Sequence, residues 1–227
     1  WARFVRSAEV LHLRVPLTQA QTAEILAELH RLSGQPDIAF RFVLTGGYSP
    51  DSVSVVEPNW LIIAENLPKD NPEGRVRGIK VLPFEFVRDL PELKSTNYLH
   101  MIRLAAEMKS QGAADLLYYK DGEVSELTRS NFFIFKGDTL VTADKNILHG
   151  ITRKVVLELA EKEFKVEIRP LLVSELEEAD EAFTTSTTKW VMPVVQIGRQ
   201  IVGDGKPGPR TLNLLAQFEA LVNGYGK

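Results

Sequence analysis

Apolar positions in this chain switch repeatedly between helical and strand spacing. The opening WARFVRSAEVLHLRV places Phe4, Ala8, Leu11 and Leu13 on one side and reads as the interior of a helix. A second helix is predicted over QAQTAEILAELHRL, where Ala23, Ile25, Leu26 and Leu29 recur at helical spacing and Thr18 supplies an N-cap. Apolar runs at 39–44 and 60–64 predict strands on either side of the turn-rich loop TGGYSPDSVSVVEPN. The polar stretch LPKDNPEG at 67–74 then reads as a linker. It separates a small N-terminal domain, residues 1–71, from a larger one, residues 72–227.

Strands dominate after the linker. They are predicted at 79–86, 116–119, 132–135, 139–142, 166–170, 181–185 and 194–197. Turns are marked by Asp121-Gly122 and Gly137-Asp138. Helices are expected over 98–111, stopped by Gly112, and over 151–163 and 211–222. Strands that mostly follow strands argue for an α+β fold with a mixed or barrel-like sheet, not a doubly wound one.

Composition narrows the function. Hydrophobic residues make up 44% of 227 residues, enough for a packed core, and the formal net charge is −3. With neither a basic run nor aromatic platforms among Arg and Lys, nucleic acid is not an expected partner. No apolar run approaches the roughly 20 residues of a membrane span. There are no cysteines, so disulfides and thiolate chemistry are excluded and a cytoplasmic setting is the default. His12, His30, His100 and His149 are scattered without metal-ligand spacing, so no metal site is expected. The chain starts at Trp1, inside an apparent helix, and a preceding segment is expected to be missing.

Candidate chemistry concentrates in ELTRSNFFIF-KGDTL-VTADKNILHGITR, from Glu126 to Arg153. Gly150-Ile151-Thr152 opens a helix whose N-terminal amides favour an anion, although many ordinary helices start this way. Thr184, Thr185, Ser186, Thr187 and Thr188 end an apolar strand with hydroxyls suited to a phosphate or carboxylate; a plain polar loop has the same look. Glu126 is either a surface carboxylate or a partner for a protonated ring nitrogen. Lys94, in ELKSTNYL, lies between a strand and a helix and can project into a crevice. Arg3 lies early in the first helix.

The ordered set E-L-T-R-S-N-F-F, a threonine after the hairpin, and I-L-H-G-I-T-R resembles the signature of class IV (fold-type IV) pyridoxal-phosphate aminotransferases. The resemblance extends to K-S-T-N-Y-L around Lys94, A-A-D-L-L-Y-Y-K-D-G-E-V-S-E, and F-T-T-S-T-T. It implies two domains, a small α/β one and a larger barrel-like one, with pyridoxal 5'-phosphate as cofactor. It implies that Lys94 forms the Schiff base and that Glu126 pairs with the pyridine nitrogen. Arg3, Ile151, Thr152 and Thr187 would hold the phosphate, and Ser186 would belong to the cofactor site. Leu148 would pack on the ring, and Tyr98 would meet the ring hydroxyl. Ping-pong exchange between an amino acid and a keto acid, in a homodimer, follows from the same likeness.

The T-S-T-T and K-S-T-N segments resemble D-amino-acid transaminases most. Those enzymes trap the substrate carboxylate with Arg-x-His in the loop after the second strand, but here that loop, GGYSPDSVSVVEP, has neither residue. Arg129 is the expected replacement clamp, assisted by Thr187 and Thr188. Its alternative role is a pairing with a neighbouring acid. Lys189 is expected to point to solvent. The competing assignments are an L-branched-chain aminotransferase and an aminodeoxychorismate lyase on the same scaffold.

Overall fold

The computed structural model describes residues 1–68 and 71–225. The chain divides into two compact units, Trp1–Lys69 and Asp70–Lys227. Part of the expected linker, residues 69 and 70, lies outside the described residues.

In the first unit, α1 (Ala2–Val10) precedes α2 (Gln19–Ser33), β1 (Ala39–Tyr48) and β2 (Glu57–Glu65). Helix α1 ends sooner than its spacing predicts. His12 takes a positive φ of 55° and Leu13 N–H folds back to the Ala8 carbonyl at 2.8 Å, so Leu11 and Leu13 lie beyond the helix. Thr18 caps α2 in a reciprocal box with Gln21. Thr22 is the buried residue of α2, whereas Ala23 and Ile25 are exposed. Strands β1 and β2 pair antiparallel from Ala39↔Glu65 onward. Phe4, Phe42 and Trp60 pack as an aromatic cluster with Trp1, their ring centroids 5.6 to 6.2 Å apart.

The second unit begins with α3 (Pro72–Arg77), capped by Asn71, where the sequence predicts linker. Strand β3 (Ile79–Glu85) follows, then α4 (Leu99–Arg103) and α5 (Ala105–Ser110). The single helix predicted over 98–111 breaks at Leu104. The φ of −95° and ψ of 4° there leave the helical well, as the Leu104 side chain packs with Met101 and Met108 on β-strand residues Leu82 and Tyr118. Next come β4 (Asp115–Lys120), β5 (Glu123–Leu127), β6 (Asn131–Lys136), β7 (Thr139–Thr142), α6 (Ile151–Ala160) and β8 (Lys165–Ile168). The two-residue strand β9 (Leu171–Leu172) leads into a 3-10 segment, Val173–Glu178, and then to β10 (Glu181–Ser186). The chain closes with β11 (Trp190–Ile197), β12 (Gln200–Ile201) and α7 (Pro209–Gly224). Asp121 and Gly122 both adopt positive φ, 51° and 79°, as a tight hairpin between β4 and β5 requires.

The sheet is mixed and α+β, as the strand-on-strand pattern predicts. Its order is β8-β7-β6-β10-β11-β3-β4-β5-β9, and an added β5–β6 pairing joins the path back on itself. The strands β6-β10-β11-β3-β4-β5 therefore form a closed ring. Val81, Leu117, Leu127, Phe132, Ile134, Ala182 and Val194 fill one face of this ring as a buried cluster. Phe133, Phe135 and Phe183 alternate to the other face and pack under Val156 and Leu157 of α6 and Leu214 and Phe218 of α7. Phe133 and Phe183 are register partners and stack at 4.7 Å. Each such side chain contributes about 1.5–3 kcal/mol through burial, so this sandwich fixes α6 against β6 and β10. Among the described residues no helix is long and apolar enough to cross a membrane.

Candidate active site

Strand direction collects several of the candidate residues at one end of the ring. Strands β3, β4 and β11 run parallel and start at this end. Antiparallel pairing then ends β5 there, starts β6 there and ends β10 there. Glu126 and Asn131 are direct register partners, and Asn131 also pairs Thr185. The end of the ring thus carries Glu126, the turn with Arg129, Asn131, and the turn from Ser186 to Lys189.

Glu126 is only 3% exposed, so the surface alternative does not hold. Its Oε1 accepts from Arg88 Nε at 2.8 Å and Arg88 Nη2 at 2.6 Å. Its Oε2 accepts from the Leu148 backbone N–H at 3.0 Å and from Asn131 Nδ2 at 3.4 Å. Asn131 Nδ2 also donates to the Leu148 carbonyl at 2.7 Å. Burial pushes the Glu126 carboxyl up, while Arg88, the Leu148 N–H and the charge of Lys94 favour its ionised form. Lys94 therefore lies within electrostatic reach of Glu126.

Arg88 is the residue that sequence reasoning missed. Besides Glu126 it holds the loop before Lys94, donating to the Pro91 carbonyl and, through Nη1, to the Leu93 carbonyl at 3.1 Å. Nothing local marks it: it is one arginine in a polar loop, and its carboxylate partner lies 38 residues on.

Helix α6 starts against this carboxylate. Gly150 is its N-cap, and no side chain caps that end. A Cβ at Gly150 would collide with Asn131 Oδ1, so only glycine lets the helix start come this close. Thr152 is buried, Ile151 is exposed, and Leu148 is half-buried. Two buried hydroxyls at this end, Ser130 Oγ and Thr185 Oγ1, have no hydrogen-bond partner. Buried polar atoms normally find partners. Orphaned hydroxyls, a helix end without a side-chain cap and a buried carboxylate together fit a group with a phosphate at one end and a basic ring nitrogen at the other.

The remaining candidates lie on other elements. Lys94 is exposed in the loop after β3. Tyr98 is half-buried at the start of α4, and the Arg129 guanidinium lies 6.0 Å from its ring centroid. Thr187 and Thr188 occupy an exposed turn, while the Ser186 hydroxyl accepts the Lys189 N–H at 3.2 Å. Lys189 does not point to solvent. Its Nζ lies 2.7 Å from Asp115 Oδ2, a buried carboxylate that draws it inward. Arg3 belongs to the first unit, in α1, where partial burial lowers its pKa.

The sequence matches the amino-transferase class IV family over residues 1–197. The chain belongs to that family. It is 31% identical over 235 residues to a putative branched-chain-amino-acid aminotransferase of Methanocaldococcus jannaschii, covering 99% of this chain and 81% of the relative. It is 30% identical over 221 residues to a D-alanine aminotransferase of Bacillus licheniformis, covering 94% of this chain and 77% of that one. The fold superimposes on a branched-chain amino acid aminotransferase of T.th. with pyridoxamine 5'-phosphate at a TM-score of 0.89. That match has 24% identity and covers 98% of this chain and 77% of the other. As a class IV aminotransferase, the protein is a pyridoxal-phosphate-dependent enzyme acting on small amino and keto acids.

Proposed function

We propose that the protein moves the amino group of an L-amino acid with a branched aliphatic side chain to a 2-keto acid such as 2-oxoglutarate. The observation that carries the transaminase chemistry is Glu126, buried and held by Arg88 with Lys94 in electrostatic reach. The comparisons support the branched-chain alternative more than the D-amino-acid reading drawn from the sequence. The loop GGYSPDSVSVVEP supports it too, because it offers no Arg or His to trap a carboxylate.

When bound, the cofactor supplies an electron sink for the substrate Cα. Lys94 Nζ would be the attachment point and the base that moves the Cα proton. Glu126 would hold a proton on the ring nitrogen, with Arg88 favouring its ionised form against the burial that opposes it. The backbone amides of Ile151 and Thr152, the Thr152 hydroxyl and Thr187 would bind phosphate, with Ser186 beside them in the cofactor site. Leu148 would pack on the ring and Tyr98 would orient its hydroxyl. The functional form is a homodimer, with residues 1–71 as the small domain and 72–227 as the large one.

A second reading, D-amino-acid transamination, is favoured by Arg129. Its exposed guanidinium lies beside Tyr98, and among the ion pairs of the described residues it has no acid partner of the kind the sequence offered as its alternative role. There Arg129, Thr187 and Thr188 would bind the substrate carboxylate. Rapid mixing of the holoenzyme with L-leucine, D-alanine and D-glutamate separates the two. Loss of the cofactor absorbance band with L-leucine is expected. Response to the D-donors alone would replace the first reading with the second, and pyruvate release from aminodeoxychorismate without an acceptor would replace both with a lyase.

A further inference from the structure

Lys189 and Asp115 are 74 residues apart, and their ion pair has a particular place in the ring. In the closed order β6-β10-β11-β3-β4-β5, the strand β10 stands opposite β4 and β11 stands opposite β5. Lys189 belongs to the turn between β10 and β11, whereas Asp115 is the first residue of β4. The contact therefore passes the start of β3 at the end of the ring and joins elements that are not neighbours along its wall. Asp115 is 3% exposed. Its Oδ1 accepts from the Leu116 N–H at 2.9 Å and from the Thr128 hydroxyl, and its Oδ2 accepts from Lys189 Nζ at 2.7 Å. Thr128 directly precedes Arg129 and lies two residues past Glu126.

One carboxylate thus holds both turns at the mouth, the one with Thr187 and Thr188 and the one with Arg129. We propose that the Lys189–Asp115–Thr128 link is a positioning device that sets the distance between the anion-binding hydroxyls and the Arg129 turn. On this account Lys189 itself binds no substrate anion, because its charge is committed to Asp115. A partly buried pair resists salt screening better than a surface pair, and removing one partner leaves the other charge uncompensated. The inference rests on the assignment of Thr187 and Thr188 to anion binding.

The test uses full-length holoenzyme with Lys189→Met, Lys189→Arg and Asp115→Asn. Hydrogen exchange of peptides covering 183–191 should accelerate by about tenfold in Lys189→Met and Asp115→Asn, which corresponds to about 1.4 kcal/mol. Lys189→Arg should restore most of the protection. Pyridoxal-phosphate affinity, followed by fluorescence of the adjacent Trp190, should weaken by about the same factor, and KM should rise more than kcat falls. Should Asp115→Asn fail to fold, Lys189→Met decides alone. Unchanged exchange, or faster exchange with unchanged cofactor affinity and KM, would overturn the proposal. Exchange and cofactor titration need no amino donor, so a wrong substrate assignment is recognised separately by an inert donor panel.

Discussion

Arg88 Nη2 lies 2.6 Å from Glu126 Oε1, and Nη1 of the same guanidinium donates to the carbonyl of Leu93, the residue before Lys94. One side chain therefore sets the carboxylate and the lysine loop relative to each other. Five fixed donors suit this task, and a lysine ammonium cannot reproduce the fork.

Removing that guanidinium should cost both stability and geometry. Arg88→Met leaves Glu126, 4% exposed at its side chain, without its cation. Breaking a buried pair in this way costs about 3–5 kcal/mol. The expected result is a urea midpoint lowered accordingly, together with weakened cofactor binding. Arg88→Lys should recover part of the stability and little of the binding. A midpoint equal to that of the parent protein would show that the pair contributes nothing net.

Gly150→Ala probes the close approach of α6. The new methyl would run into Asn131 Oδ1, and Asn131 also holds the Leu148 carbonyl and touches Glu126. Overpacking of this kind costs about 1–3 kcal/mol. Asn131 must turn away, so pyridoxal-phosphate affinity should fall by about tenfold or more. Isothermal titration of the apoprotein checks this directly. Affinity equal to that of the parent would mean that the helix start can shift without consequence.

Lys94 gives a covalent test. Reduction of the holoenzyme with borohydride should fix the cofactor on the peptide containing Lys94, and Lys94→Ala should give no labelled peptide. Label recovered on any other lysine would remove Lys94 from the proposed role.

The candidate site was legible as a group where its residues are contiguous. Glu126, Asn131, Leu148, Gly150 and Thr152 fall within one short stretch, because a strand, a hairpin and a helix start suffice to fold them together. Arg88, Asp115 and Lys189 were hidden or misread for the opposite reason. Their partners are distant in sequence, and only closure of the ring brings them together. Fold class was legible from strands following strands. The break at Leu104 was not, since the apolar period runs through it and tertiary packing overrides local propensity. Strands β9 and β12, two residues each, are too short to leave a period at all.

Acid sensitivity separates two carboxylates of opposite sign. Glu175 accepts from Arg169 Nη1 at 2.8 Å and Nη2 at 2.7 Å, and from the Leu172 N–H at 3.0 Å. The Arg169 hydrogen bonds, then the Leu172 N–H, hold its carboxyl at about 2 against an ordinary 4.5. The folded state thus prefers the ionised form, and the resulting stability is fully present above the unfolded value and lost as pH falls from 4.5 toward about 2. Glu126 works the other way. Its raised pKa gives a contribution that is complete below the ordinary value and lost as pH rises through the folded one. Urea midpoints measured from pH 5 to pH 2 should therefore fall less steeply in Glu175→Gln than in the parent protein. Glu126→Gln should leave the slope below pH 4.5 unchanged, because the Glu126 contribution is already complete there. Identical slopes in the parent and Glu175→Gln would mean that the Arg169 pairing does not survive in solution.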